Sequence, residues 1–299
     1  MSDDVEAAFS EVGTVDAALR VASAVLASAG VPTPGVDAEL LLAHVTGTGR
    51  GVVRARAVTG SALLPGHKEA LVASVVRRAS REPLQHITGT AGFRSLELHV
   101  GPGVFVPRPE TEGVAQLAID ALRAAPEAEP IAVDLGTGSG ALALALATEV
   151  PRSRVVAVEV SPDAAAWTRR NIDAVAATNV RLVQGDMATV AEQLPELAGV
   201  VAVVVSNPPY IPVGMVPRDP EVRLHDPATA LYGGEDGLDL VRALSLTAQA
   251  LLRPGGALVI EHGELQGAAI RDLLRADGWR APATQADLTG RDRSTTAVR

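Results

Sequence analysis

Five apolar runs constrain this chain more than any other feature: "IAVDLG", "RVVAVEV", "VRLVQGD", "VVAVVVSN" and "GALVIEHG", all between Ile131 and Gly263. Helical patterns precede or separate them: "GVAQLAIDALRAA", "GALALALATEV", "SPDAAAWTRRNIDAVAA", "DGLDLVRALSLTAQALL" and "LQGAAIRDLLRADG". A strand that is apolar at successive positions buries both of its faces, which happens where helices cover a parallel sheet on both sides. The expectation for residues 108–299 is therefore an α/β domain with a Rossmann-like, mostly parallel sheet. A final pair, "APATQADLT" and "RSTTAVR", is expected to close it with one antiparallel strand.

The first part of the chain has a different period. "TVDAALRVASAVLASAG", "VDAELLLAHVTG" and "LPGHKEALVASVVRRAS" repeat apolar residues at three-and-four spacing, and the first opens with a Thr cap and stops at Gly30. A small helical domain over 1–82 follows from this. In "LQHITGTAGFRSLELHVGPGVFVPR" short alternating runs broken by glycines predict a β-hairpin, placed as a linker over 83–107.

Composition removes several classes of function. There is no cysteine among 299 residues, so disulfides, thiolate metal sites and cysteine nucleophiles are out. The six histidines are scattered without ligand spacing, and no metal is expected. A net charge of −9 argues against direct nucleic-acid binding. The Arg77, Arg78 and Arg81 cluster reads as a solvated helix face. The N-terminal residues carry acids instead of a signal peptide's basic and apolar regions, and no run is long enough to span a membrane; a cytoplasmic protein is expected.

Ligands of open α/β sheets sit at the carboxyl ends of the strands, so the residues that follow each apolar run are the informative ones. After the first run, Gly136, Gly138 and Gly140 form a tight turn, with Thr137 and Ser139 between them, that lets a ligand approach the backbone. The second ends at Glu159, placed to receive a ribose diol. The third ends at Asp186 and Met187, an acceptor for an adenine amino group and a thioether to pack on the ring. Gly136, Gly138 and Ala141 also satisfy a dinucleotide fingerprint, so the turn alone leaves nicotinamide and S-adenosylmethionine open. Asp134, two residues before the first glycine, suits the ammonium group of the latter.

The fourth run ends in "SNPPY". An amide or ring amino nitrogen is a poor nucleophile with a delocalised lone pair, so a catalyst gains by holding its hydrogens. Asn207 Oδ1 and the Pro208 carbonyl are two such acceptors, and they stabilise the positive charge that develops on nitrogen during transfer. Pro208 and Pro209 stiffen the backbone that carries them, and Tyr210 can stack on the planar group. "HDPATALYGGEDGLDL", with Gly233, Gly234 and Gly237, is a candidate lid or an ordinary ordered loop.

Asn-Pro-Pro-Tyr at this place resembles the amino-methyltransferases of adenine, cytosine or glutamine nitrogens. With "REPLQHITGTAGFRSLELHVGPGVFVPRPETE", "DLGTGSGALALALA", "VSNPPYIP", "HDPATALYGGEDGL" and "IEHGELQG", the chain is similar to the bacterial protein-(glutamine-N5) methyltransferases of peptide chain release factors, the HemK/PrmC family. That resemblance implies a class I S-adenosylmethionine-dependent methyltransferase fold with a helical N-terminal domain that docks the release factor. It implies methylation of the glutamine of the Gly-Gly-Gln motif. By position, Asp134, Gly136 to Gly140, Glu159, Asp186, Met187 and Asn207 would bind the cofactor, and Asn207 to Tyr210 would hold the glutamine. Arg108, Glu110 and Thr111 of "VPRPETE" would line the entrance. The related ribosomal-protein methyltransferases typically read Pro-Arg-Ser-Pro there, whereas this chain has Pro107, Arg108, Pro109 and Glu110. An adenine methyltransferase and a non-catalytic cofactor-binding module are the remaining alternatives.

Overall fold

The computed structural model describes residues 2–299. They fall into two compact units. One runs to Gly89 and also takes in Pro217–His225; the other comprises Thr90–Val216 and Asp226–Arg299.

The helical unit contains α1 (Ser2–Ala8), α2 (Val15–Ser28), α3 (Pro34–Thr46), α4 (Arg50–Val58), α5 (Pro65–Ala79) and the short α6 (Leu84–Thr88). Thr14 caps α2 by accepting the Ala17 N–H, as its sequence suggests, while Pro34 and Pro65 occupy first-turn positions where a missing N–H costs nothing. Phe9, Leu26, Leu41, Leu42 and Leu71 are fully buried at the centre. The hairpin is shorter than the glycine-broken alternation suggested, because "LQHIT" completes one more helical turn, ended by Gly89 in the left-handed conformation.

The second unit begins with that hairpin, β1 (Thr90–Phe93) and β2 (Leu96–His99), and continues with α7 (Thr111–Ala124) and β3 (Ile131–Leu135). Next come α8 (Ala141–Glu149), β4 (Arg154–Glu159), α9 (Pro162–Val175), β5 (Val180–Gln184), α10 (Val190–Gln193) and β6 (Val201–Ser206). After α11 (Pro220–His225), which lies in the helical unit, the chain returns to form α12 (Asp239–Leu251), β7 (Leu252–Glu261), α13 (Gly267–Ala276), β8 (Arg280–Ala286) and β9 (Asp292–Val298).

The seven-stranded sheet has the order β5-β4-β3-β6-β7-β9-β8, and only β9 runs against the others. Successive residues serve opposite faces. Ala132, Val155, Val203 and Val205 pack with α7 and α8, while Val133, Val156, Val158 and Val204 pack with α12 and α13. This two-sided burial is why the runs are nearly continuous. The order reverses between β3 and β6, which opens a crevice at their carboxyl ends.

The helical unit corrects one sequence expectation. Arg78 is only 6 % exposed and its guanidinium bonds Asp37 at 2.7 Å and Glu221 of α11 at 2.7 Å. Arg81 reaches the same Glu221 at 2.6 and 2.8 Å. Arg77 does lie on an exposed face, paired with Glu82, but Arg78 and Arg81 belong to an ion network whose acid lies too far along the chain for local charge patterning to reveal it.

Candidate active site

At the crevice β3 ends in unusual backbone. Gly136, Gly138 and Gly140 all have positive φ, and the Gly136 and Thr137 N–H groups donate to the Val158 carbonyl at 2.9 Å. The turn therefore bends over the end of β4, and a Cβ on Gly136 would stand 3.0 Å from Met187 Cε. Its carbonyls are held from α9: Thr168 donates to Gly138 O at 2.6 Å and Asn171 to Ser139 O at 2.9 Å. Sequence reading missed Thr168 and Asn171; their signal was two polar residues in a helical stretch, and burial alone gives it meaning.

Asp134 is completely buried. Its Oδ2 accepts the Thr137 hydroxyl at 2.6 Å and the Ala143 N–H at 3.0 Å, while Oδ1 has no partner. Burial pushes the carboxyl up to about 7 against those hydrogen bonds, and the neighbouring Glu159 charge adds to the rise. Glu159, 7 % exposed, accepts the Gly138 N–H at 2.8 Å and the Ser161 N–H at 2.9 Å, one on each oxygen, and a carboxylate oxygen has room for a second donor. Asp186 is exposed and accepts the Ala188 N–H at 2.9 Å; Met187 beside it is buried.

Across the crevice, the Ser206 hydroxyl donates to the Leu135 carbonyl at 2.5 Å, tying the end of β6 to the base of the glycine turn. Pro208 is buried, and Asn207, Pro209 and Tyr210 are partly exposed. The backbone at the end of the motif is braced. Gln266 donates to Tyr210 O at 2.9 Å, and Ile211 and Val213 exchange backbone hydrogen bonds with the "LYGG" segment. A Cβ on Gly233 would fall 2.4 Å from Pro209 O, so this ordered loop owes its glycine to close packing against the motif. Burial pushes the Tyr210 phenol up to about 12, with the Glu261 charge adding, so it stays neutral.

The entrance residues diverge. Arg108 pairs with Asp226 at 3.0 Å and lies over the Phe105 ring at 5.0 Å. Glu110 occupies the N-cap of α7, and the buried Thr111 puts its Oγ1 3.5 Å from Asn207 Nδ2. Glu261, at the end of the fifth run, is 2 % exposed beside them and was overlooked, although the strand-end rule applied to "IEHG" points straight to it. Among the described residues no group of three or more His, Cys, Asp or Glu could hold a metal ion, and no helix is long and apolar enough to cross a membrane.

A glycine turn and an Asn-Pro-Pro-Tyr strand end, facing each other where a seven-stranded sheet reverses, define a class I methyltransferase. Residues 95–216 match the methyltransferase small domain family, and residues 17–89 match the PrmC N-terminal domain. Release factor glutamine methyltransferases are similar over nearly the whole chain. That of Streptomyces coelicolor is 52 % identical, over 91 % of this chain and 93 % of its own. That of Bifidobacterium longum is 47 % identical, over 94 % and 98 %. A 4-amino-L-phenylalanine/4-methylamino-L-phenylalanine methyltransferase of Streptomyces pristinaespiralis is 43 % identical over 75 % of this chain and 76 % of its own. The chain belongs to the release factor glutamine methyltransferase family.

Proposed function

We propose that this chain methylates the side-chain amide nitrogen N5 of the glutamine in the Gly-Gly-Gln motif of peptide chain release factors, with Asn207 Oδ1 and the Pro208 carbonyl accepting its two N–H bonds. The observation that carries the site reading is the Ser206 to Leu135 hydrogen bond, which joins the motif to the glycine turn at the sheet's reversal. The residues present suit S-adenosylmethionine: Asp134 offers a buried oxygen without a partner, which calls for a cationic donor such as an ammonium. Glu159 would take the ribose hydroxyls, Asp186 and Met187 would take the adenine, and Gly136 to Gly140 with Asn207 would line the remainder.

When bound, S-adenosylmethionine supplies an electrophilic methyl group on a sulfonium. The protein's part is orientation and charge. Asn207 and Pro208 pin the amide hydrogens, so the nitrogen lone pair faces the methyl, and their oxygens stabilise the cationic nitrogen before it sheds a proton. Pro209 and the braced backbone keep these acceptors preorganised, and Tyr210, neutral throughout, offers its ring to the planar amide. The helical unit is the docking element for the release factor, the reaction is cytoplasmic, and neither metal nor direct nucleic-acid contact takes part.

Asn207→Ala should lower turnover on a purified release factor by about 10²–10³-fold while cofactor affinity changes little. The check is methyl transfer from labelled S-adenosylmethionine, with calorimetry of cofactor binding. A panel of release factor, ribosomal protein, DNA and 4-aminophenylalanine fixes the substrate; label on any of the other three alone would refute the release-factor reading.

A further inference from the structure

Glu261 ends β7, and the parallel register that sets Ser206 opposite Ile260 brings the next residues, Asn207 and Glu261, side by side at the carboxyl edge of the sheet. Thr111 of α7 stands 3.5 Å from Asn207 Nδ2, both side chains favour the charged form of Glu261, and the buried Glu261 Oε2 has no partner. Arg293 of β9 favours its charge from a distance but forms its own ion pair with Asp287 at 3.5 Å. Glu110, entering α7, and Tyr210 are the other titratable groups that face it. His262, next in the chain, is engaged elsewhere, with the Gly263 carbonyl at 2.8 Å and the Thr295 hydroxyl at 2.9 Å.

We infer that Glu261 is a positioning residue for methyl transfer: its ionised carboxylate takes the N–H side of the Asn207 amide, directly and through Thr111, and so turns Asn207 Oδ1 toward the substrate nitrogen. This rests on the reading of Asn207 as the substrate's acceptor. The two ends of an amide are nearly equal in size, so shape does not choose between them. Hydrogen bonding does, because a carboxylate only accepts and pairs with Nδ2 alone. A reversed amide would set two oxygens against each other on one side and N–H against substrate N–H on the other. Thr111 has a single proton; donated to Glu261, it leaves a lone pair for Asn207 Nδ2 at 3.5 Å.

Protonation would undo the selection, since a carboxylic acid can donate to Asn207 Oδ1. Burial pushes the Glu261 carboxyl up to about 7, Glu110 adds to the rise, and Thr111, Arg293 and Asn207 oppose it. Turnover should therefore climb through about pH 7 and then level.

The test is kcat and KM for the full-length chain on a release factor between pH 5.5 and 8.5, with cofactor affinity and thermal unfolding measured in parallel. Glu261→Gln should lower kcat about 10- to 100-fold, leave KM and cofactor affinity within about twofold, and flatten the pH profile. Glu261→Asp, still an acid, should keep the inflection and recover part of the rate. Wild-type kcat in Glu261→Gln, or a slow Glu261→Gln that keeps the inflection, would overturn the inference. If Glu261→Gln does not fold, Glu261→Asp and Thr111→Val decide: a flat profile in the first or an undiminished kcat in the second is fatal. Asn207→Ala separates the layers. Unchanged turnover there removes the site reading itself, whereas an inactive Asn207→Ala beside a normal Glu261→Gln removes the positioning role alone.

Discussion

Glu221 and Glu261 are both buried, yet their carboxyls are driven in opposite directions. Burial alone would raise Glu221, but hydrogen bonds from Arg81 and Arg78 outweigh it and bring the group down to about 2. Glu261 has no guanidinium in contact, and burial wins, taking it up to about 7. Asp134 follows Glu261. The helical unit answers its buried acid with bonded cations, whereas the methyltransferase unit leaves two acids with an unpartnered oxygen each. A cancelled charge holds a fold together; an uncancelled one is tolerated where chemistry uses it.

Glu221→Ala strips the buried Arg78 and the part-buried Arg81 of a partner and should destabilise the helical unit by about 3–5 kcal/mol, read by thermal or urea unfolding. The wild-type pair is also pH-dependent with a definite sign. Glu221 has a depressed carboxyl, so its contribution is complete above the ordinary value of 4.5 and is lost as pH falls toward about 2. A Glu221→Ala protein as stable as wild type at pH 7 would mean that the network contributes nothing.

A smaller effect is expected at the brace of the motif. Gly233→Ala must push Pro209 O away from a 2.4 Å approach, at a cost of about 1–3 kcal/mol in strain, and should reduce kcat more than cofactor affinity. Equal losses in both would mean that the loop serves the whole site and not the substrate side.

Asp134 has a raised carboxyl, so its charged form, the one that attracts an ammonium, is complete only above about pH 7. Wild-type affinity for S-adenosylmethionine should fall as pH drops through that value, by up to about tenfold per unit below it. Asp134→Asn should bind weakly and without that slope, which titration calorimetry at pH 6 and 8 would show. A parallel slope in both proteins would assign the dependence to another group.

Much of the site was legible because each strand end is a local signal. The glycine turn, Glu159, Asp186 with Met187, and Asn207 to Tyr210 all follow apolar runs, and the structure gathers the first and last of these sets at the sheet's reversal. Glu261 obeys the same rule at the end of the fifth run, but a lone acid there does not reveal that Asn207 and Thr111 belong to the same edge of the sheet. Thr168 and Asn171 carry no such mark. They matter only because α9 lies against the glycine turn, and no periodicity announces a helix's partner.

The sequence by itself determined the strands, the parallel character of the sheet, the single antiparallel closing strand and the placing of Asn-Pro-Pro-Tyr at a strand end, because burial pattern and backbone stiffness are written in consecutive residues. Only the tertiary structure decided which strand ends become neighbours, that Arg78 and Arg81 converge on Glu221, and that Thr111 and the buried Glu261 come to Asn207's end of the sheet. Those pairings join residues far apart in the chain. Their energies depend on desolvation and distance, which exist only once the chain has folded.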